Sequence, residues 1–467
     1  MAKKAPAAAS QVKQSKKNLP TSTTYHLNFE GLKQALIKAP IRGSASNNSN
    51  VIIEFPNDRG EFERFRIVEA SVMHPDLEAK YPGIKSYAGQ GVDDASARIR
   101  FSVSPLGLQS MRLSAGQPAA FIEPYTIDGL EYTVYKREDK ADTYDNFECQ
   151  VTDAANKALL GNTSTLRNAD DAILRTYRLA VSTTAEYTIF HGGTKALALA
   201  AINTTMTRVN GIFENDFNVT MVLIANTDAV IYTNASTDPY GSTSGGFNSA
   251  LQNTLTNVIG EANYDVGHLF AKASNNGNAG CIGCVCVNGQ KGSGFTSRQD
   301  PVGDPFDVDY VAHEMGHQFG GNHTWTHGGN EGTNVQMEPG SGSTIMGYAG
   351  ITGANTDVQQ NSDPYFHAIS IQQITNYVKS TSCQTNTNTG NAVPTASAGS
   401  NYTIPKGTAF VLTGAGSDAN SQDVLTYCWE EIDENNSATQ KPSVTATSAP
   451  LLGLIFHLPI LRGISLD

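Results

Sequence analysis

Apolar and polar positions follow three different rhythms along the chain. Between about residues 25 and 145 the apolar runs are short and many alternate with a period of two, as half-buried strands do. "VIIEF" and "ERFRIV" flank Asn57-Asp58-Arg59-Gly60, which predicts a hairpin; "ARIRFSVS" and "EYTVYKR" predict further strands, and one helix is expected from near Phe29 to before Pro40. From "ILRTYRLAVSTT" onward, strands alternate with helical repeats. Leu197, Ala200, Met206, Val209 and Phe213 recur near helical spacing, as do Leu251, Leu255, Val258 and Ile259, whereas "VTMVLIAN", "YDVGHLFA" and the short "IYTN" read as strands. That alternation predicts an α/β unit, a sheet with helices packed on it. The helix "DVDYVAHEMGHQFG" follows, with Asp307 as candidate cap and Gly320 and Gly321 as the stop. After Cys383 a Thr/Asn/Gly linker, "QTNTNTGNAVPTASAGS", leads into strand-like runs with turn residues, the pattern of a β-sandwich module that ends early.

These rhythms divide the 467 residues into a flexible leader (1–24), a β-rich unit with its connector (25–165), an α/β unit (166–386), an incomplete β-sandwich module (387–450) and an irregular apolar tail (451–467). Around 145–170 the chain is polar and small-residue rich, an exposed and cleavable connector, with Arg167 and Arg175 as candidate cut sites. The formal net charge of -12 argues against a nucleic-acid partner, whose phosphates reward clustered Lys and Arg. No stretch has the ~18 uninterrupted apolar residues needed to span a membrane. Only 16% of residues are charged, and the polar surface is supplied by Asn, Thr, Ser and Gly, a bias of secreted proteins. The N-terminus lacks the apolar stretch of a secretion signal, so secretion is expected with the signal absent from this sequence.

The chemistry is concentrated in "VAHEMGHQFGGNHTW", residues 311–325. Four residues of helix separate His313 from His317, ~40° around the axis and ~6 Å along it, so both imidazoles project from one face. Glu314 sits ~100° away, within reach of water on a shared ion without ligating it, which is the logic of HExxH. Zinc needs a third protein ligand and leaves a fourth position to water. Gly320 permits the positive φ with which the chain can leave the helix abruptly and return His323 to the ion.

The extended run His313-Glu314-x-x-His317-x-x-Gly320-x-x-His323, with Met346 in "GSTIMGYAG" downstream, resembles the metzincin metallopeptidases, and over about 172–383 the secreted reprolysin-like bacterial type in particular. The resemblance implies a catalytic domain with the zincin fold, a twisted mixed sheet with helices; Met346 as the apolar floor below the histidines; zinc as cofactor; and peptide-bond hydrolysis with Glu314 as general base. "GNAGCIGCVCVNGQKGSGF" resembles the edge-strand region that lines the substrate cleft. Residues 25–165 would be the prodomain of a zymogen, and the C-terminal module resembles PKD or Ig-like units. Two positions depart from animal reprolysins. Thr324 stands where they carry Asp, as in pappalysins, and Tyr348 lies where several metzincins have a tyrosine that stabilises the oxyanion; packing is the alternative role for it.

Six cysteines remain to be placed. Cys149, the sole one before the catalytic unit, is a candidate latch on the open zinc position or an incidental cysteine. The resemblance implies a Cys286–Cys383 bridge and leaves Cys281 with Cys284; a second zinc at "CIGCVC" is the alternative. Asp304, Asp307 and Asp309 are candidates for calcium or for helix capping, and His268, His327 and His367 are expected in the sheet, loops or cleft wall. The leading expectation is therefore a secreted, monomeric zinc endopeptidase acting on protein or peptide substrates. Its alternatives are a pappalysin-like protease or a secreted adhesin with an accessory metal domain.

Overall fold

The computed structural model describes residues 2–3, 19–20, 24–43, 49–139, 147–151, 171–328, 331–405 and 408–434. Most of the leader, most of the connector and the whole apolar tail lie outside these residues. The N-terminal part is one antiparallel sheet of nine strands. They are β1 (Ala2–Lys3), β2 (Thr24–His26), β3 (Ile52–Pro56), β4 (Phe62–Glu69), β5 (Lys85–Gly91), β6 (Arg98–Ser104), β7 (Gly107–Ser114), β8 (Gln117–Pro124) and β9 (Glu131–Lys136), in the order β1-β2-β9-β8-β7-β6-β5-β4-β3. The expected hairpin is β3–β4, its turn held by the Asn57 side chain, which accepts from the amides of Arg59 and Glu61. Helix α1 (Phe29–Leu36) starts where Asn28 caps the Gly31 amide, and the short α2 (Pro75–Lys80) carries Pro at its first turn.

The second sheet is mixed. It holds β10 (Glu148–Cys149), β11 (Ile173–Thr183), β12 (Val219–Leu223), β13 (Val266–Ala271), β14 (Asn276–Asn278) and β15 (Gly294–Ser297) in the order β10-β14-β15-β13-β11-β12, with β16 (Thr385–Asn388) antiparallel to β11. Its helices are α3 (Ala185–Phe190), α4 (Lys195–Phe217), α5 (Phe247–Thr254), α6 (Ala312–Gln318) and α7 (Ala368–Ser380). The alternation of strands and helices is the expected one, with an inner strand, β15, added between the edge strand β14 and α6, and a large apolar core lies between the sheet, α4 and α6.

Several expectations need correction. "IYTN" makes one bridge, Ile231 to Thr183, after a 3-10 turn, and forms no strand. The connector begins as strand, because Glu148 and Cys149 find open backbone partners on β14. The linker after Cys383 begins as β16, which covers the free side of β11. Among the described residues beyond it, one short pair, β17 (Thr395–Ser397) with β18 (Ala415–Ser417), is formed rather than a sandwich. Arg175 is a buried residue of β11, paired with Asp171, and is not an exposed cut site; Arg167 lies outside the described residues.

Helix α4 ties the two sheets together. Its polar residues suggest a solvent face, yet the helix is buried almost all round because the N-terminal sheet lies on that face. Ser86 bonds Asn203 and Thr207, Ser102 bonds Thr204, and Gln109 donates to Thr204 at 3.2 Å. Most of the side chains that bring polar atoms into this seam are thus hydrogen-bonded across it.

Candidate metal centre

Pro305–Val311 winds as a π-helix before it tightens into α6. Asp307, expected as a cap, is instead fully inside this stretch and bonds Thr205 and, at 2.7 Å, Arg208. A buried guanidinium needs a counter-charge more than the helix needs a cap. Asp304 and Asp309 likewise face Arg137, so all three acids of the calcium candidate are occupied by arginines.

Helix α6 presents His313 and His317 on one face. The chain leaves it at Gly320, φ 102°, where a Cβ would lie 3.0 Å from the Tyr377 side chain. The reversal brings His323 back: its Nε2 lies 3.0 Å from His317 Nε2, which is 3.1 Å from His313 Nε2. Each imidazole is oriented through its other nitrogen. His313 Nδ1 donates to the Ile345 carbonyl at 2.6 Å, His317 Nδ1 to the Gly321 carbonyl at 2.7 Å, and His323 Nδ1 to Glu331 at 3.2 Å. With the protons held there, three lone pairs converge on one point.

Cys149 Sγ completes the group, 3.7 Å from His317 Nε2, with all four donor atoms within 4.8 Å of one another. Tetrahedral zinc with ordinary Zn–N and Zn–S lengths requires ~3.3 Å between nitrogens and ~3.6 Å between nitrogen and sulfur. The donor set therefore fits a zinc ion in both chemistry and spacing.

Glu314 is fully buried, packed on the edge strand so closely that a Cβ at Gly277 would meet its carboxylate at 2.3 Å. Neither oxygen has a hydrogen-bond partner of good geometry among the described residues. Burial is the largest influence on it and pushes its pKa up to about 8, against the pull of the Cys149 thiol, His323 and the Ala279 amide. Burial and the neighbouring Glu314 raise the Cys149 thiol to about 12. Met346 is fully buried, its sulfur where a Cβ on Gly316 would lie 2.6 Å away, between the two helical histidines. Tyr348 Oη is 3.0 Å from His323 Nε2, and burial holds its phenol protonated.

The cleft beside these groups is filled. Phe147 stacks on Tyr310, their ring centroids 3.7 Å apart, and Cys149 runs parallel to β14 opposite Gly277. The space left among Phe147, Cys149, Asp309, His313 and Tyr348 is about 10 Å³.

The remaining residues sort plainly. Cys281–Cys284 and Cys286–Cys383 are disulfide-bonded, which removes the second-zinc alternative at "CIGCVC". His268 is a sheet residue, hydrogen-bonded to Gln318 and Thr296 and lowered to about 4 by burial. His367 caps α7, and His327 packs on Trp325, with ring centroids 4.4 Å apart. Sequence spacing gave no sign of two carboxylates, Glu331 on His323 and Glu338 behind Thr324; the one hint was an acid placed between the third histidine and Met346.

No curated protein matches the chain. Residues 173–378, from the start of β11 to the end of α7 and including every histidine of the cluster, match the profile of Metallo-peptidase family M12B, Reprolysin-like, so this segment supports a reprolysin-like metallopeptidase.

Proposed function

We propose that the chain is the precursor of a secreted zinc endopeptidase, with His313, His317 and His323 as the ligands and Glu314 as general base. The observation that carries this reading is the Glu314 carboxylate, fully buried beside three convergent imidazole nitrogens, with neither oxygen in a well-formed hydrogen bond among the described residues. Leaving a buried carboxylate so placed costs stability, and a protein that only bound a partner would have no use for it. This disfavours the adhesin reading.

Zinc at this point would supply Lewis acidity, lowering the pKa of a coordinated water towards ~7 and polarising the scissile carbonyl. The chain's own residues do the rest. Glu314, between the imidazoles and β14, takes the proton from the attacking water and returns it to the leaving amine. Tyr348 donates its Oη–H to the developing oxyanion from beside His323. An extended peptide adds to β14 through its backbone in the place now held by β10. Cys149, whose sulfur lies with the three imidazole nitrogens, would be the fourth ligand and so the latch of the precursor. A pappalysin-like subfamily is the second reading, favoured by Thr324 and by Tyr348 at the third histidine.

The test compares wild type with Glu314→Gln after the N-terminal region has been removed, on casein and on a quenched peptide library, with metal content measured on both. Glu314→Gln is expected to keep one zinc per chain and lose at least ~10³-fold in turnover. Equal turnover by the two proteins, or wild type without stoichiometric metal, rejects the reading.

A further inference from the structure

We infer that Glu338 is a positioning residue for the third metal ligand, a buried carboxylate that locks His323 and the Met346 turn into one rigid unit. The inference rests on the zinc reading above. Glu338 is 3% exposed and accepts from several donors, none of them a lysine or arginine. One oxygen takes the backbone amides of Ser343 at 2.8 Å and Thr344 at 3.0 Å and the Ser343 hydroxyl at 3.3 Å; the other takes the hydroxyls of Thr324 and Thr344. Thr324 directly follows His323, and Ser343 and Thr344 precede Met346 in the same turn. A single carboxylate thus joins the segment that carries a ligand to the loop that forms the floor below it.

The backbone repeats the connection. Glu338 N donates to Thr324 O at 2.8 Å, and Thr324 N donates to Met346 O at 3.2 Å. The loop is shaped around the carboxyl group. Gly342 has φ 70°, and a Cβ there would lie 3.1 Å from the Glu338 carboxyl carbon. Two adjacent amides and three hydroxyls aimed at one buried carboxylate form an anion nest. Such a group is held rigidly, because displacing it would leave a buried charge unsatisfied.

The arrangement also gives Thr324 a reason. Its hydroxyl is a donor to Glu338, so the carboxylate that fixes this corner comes from fourteen residues downstream rather than from the position after the histidine. His323 leaves its own helix at Gly320 and has no helical neighbours to orient it, unlike His313 and His317. Its position therefore depends on Glu338 on one side and on the Glu331 contact to Nδ1 on the other.

The test uses the full chain in the Cys149→Ala background, so that three imidazoles alone hold the ion. Zinc release to a chromophoric chelator is timed below the melting temperature, and the visible spectrum of the cobalt(II)-substituted protein is recorded. Glu338→Ala is expected to release zinc about 10–100-fold faster, the usual effect of removing an outer-shell partner, and to alter the cobalt spectrum. Glu338→Asp, one methylene shorter, is expected to release faster as well, because it cannot reach both donor sets. Thr324→Val keeps the volume and loses one donor; it is expected to shift release in the same direction by less, and it decides the matter if Glu338→Ala does not fold. Release at the wild-type rate in the folded variants, even with a lower melting temperature of the metal-free form, overturns the inference and leaves the zinc reading standing. A parent protein that holds no ion overturns the zinc reading itself.

Discussion

At the scale of single residues, Cys149 shows best how sequence and structure differ in what they reveal. Spacing identified His313, His317 and His323 because a helix and a glycine-enabled turn impose fixed offsets, and the geometry brings all three together. No offset linked Cys149 to them; only the pairing of β10 with β14 sets its sulfur among the imidazoles. Cys149→Ala in the intact chain is expected to raise hydrolysis of a quenched peptide by about tenfold, equivalent to ~1.4 kcal/mol. Activation should stay partial, because Phe147 still stacks on Tyr310 and β10 still occupies the edge. A precursor as silent as wild type, with zinc bound, would remove Cys149 from the latch. Glu338 was illegible for a related reason: its partners lie in two separate stretches of chain, at Thr324 and at Ser343–Thr344, and no periodicity connects them to it.

At the scale of elements, the end of α4 carries a charge where a helix least favours one. Asp216 sits one residue before the helix C-terminus, accepts from the Phe366 amide at 2.8 Å, and so anchors the segment that leads into α7. Burial, with Glu430 nearby, pushes its carboxyl up to about 7 from the usual 3.8. The folded state therefore holds this proton more tightly than the unfolded state. The stability it contributes is full below about pH 4 and is lost as pH rises through about 7. Asp216→Asn keeps an acceptor for Phe366 without the charge. Its melting temperature should exceed wild type by a few degrees at pH 8, ~1–2 kcal/mol after allowance for partial exposure, and converge with it near pH 4. A constant difference across that range would contradict the assignment. Elements of this kind were legible in the sequence where one rhythm ran long enough: α4, β11 and β13 lie where the pattern predicts them, and α6 forms the second half of the helix expected from Asp307 to Gly320, whose first half is π-helical. It was silent on strand order, on β16 and on the π-helical turns, because these depend on what packs alongside rather than on the local pattern.

At the scale of the whole molecule, the chain does not divide where its composition does. The polar side of α4, which in isolation reads as a wet surface, is the seam with the N-terminal sheet. One apolar core contains Val72, Leu77, Met111 and Phe121 from the N-terminal part together with Tyr177, Ile202, Val209 and Val219 from the second. Leu223 of β12 exchanges backbone hydrogen bonds with Val72 and His74, both at 2.8 Å. Arg208, 1% exposed, lies between Glu123 of the N-terminal sheet and Asp307 in the turn before α6. Breaking such a buried pair leaves an uncompensated charge and costs ~3–5 kcal/mol. A single cut in the connector removes none of these contacts. Full-length protein nicked after Arg167 is therefore expected to run as one species in size-exclusion chromatography at neutral pH, its two fragments separating only in denaturant. Glu123→Ala, which strips Arg208 of one partner, should lower the urea concentration needed to part them. If the nicked fragments elute apart in plain buffer, the shared core does not hold the halves together, and release of the cleft needs only the cut. If they stay together, the N-terminal part keeps β10 on β14, and on the proposed reading exposure of the cleft is set by destruction of that part rather than by the first cleavage.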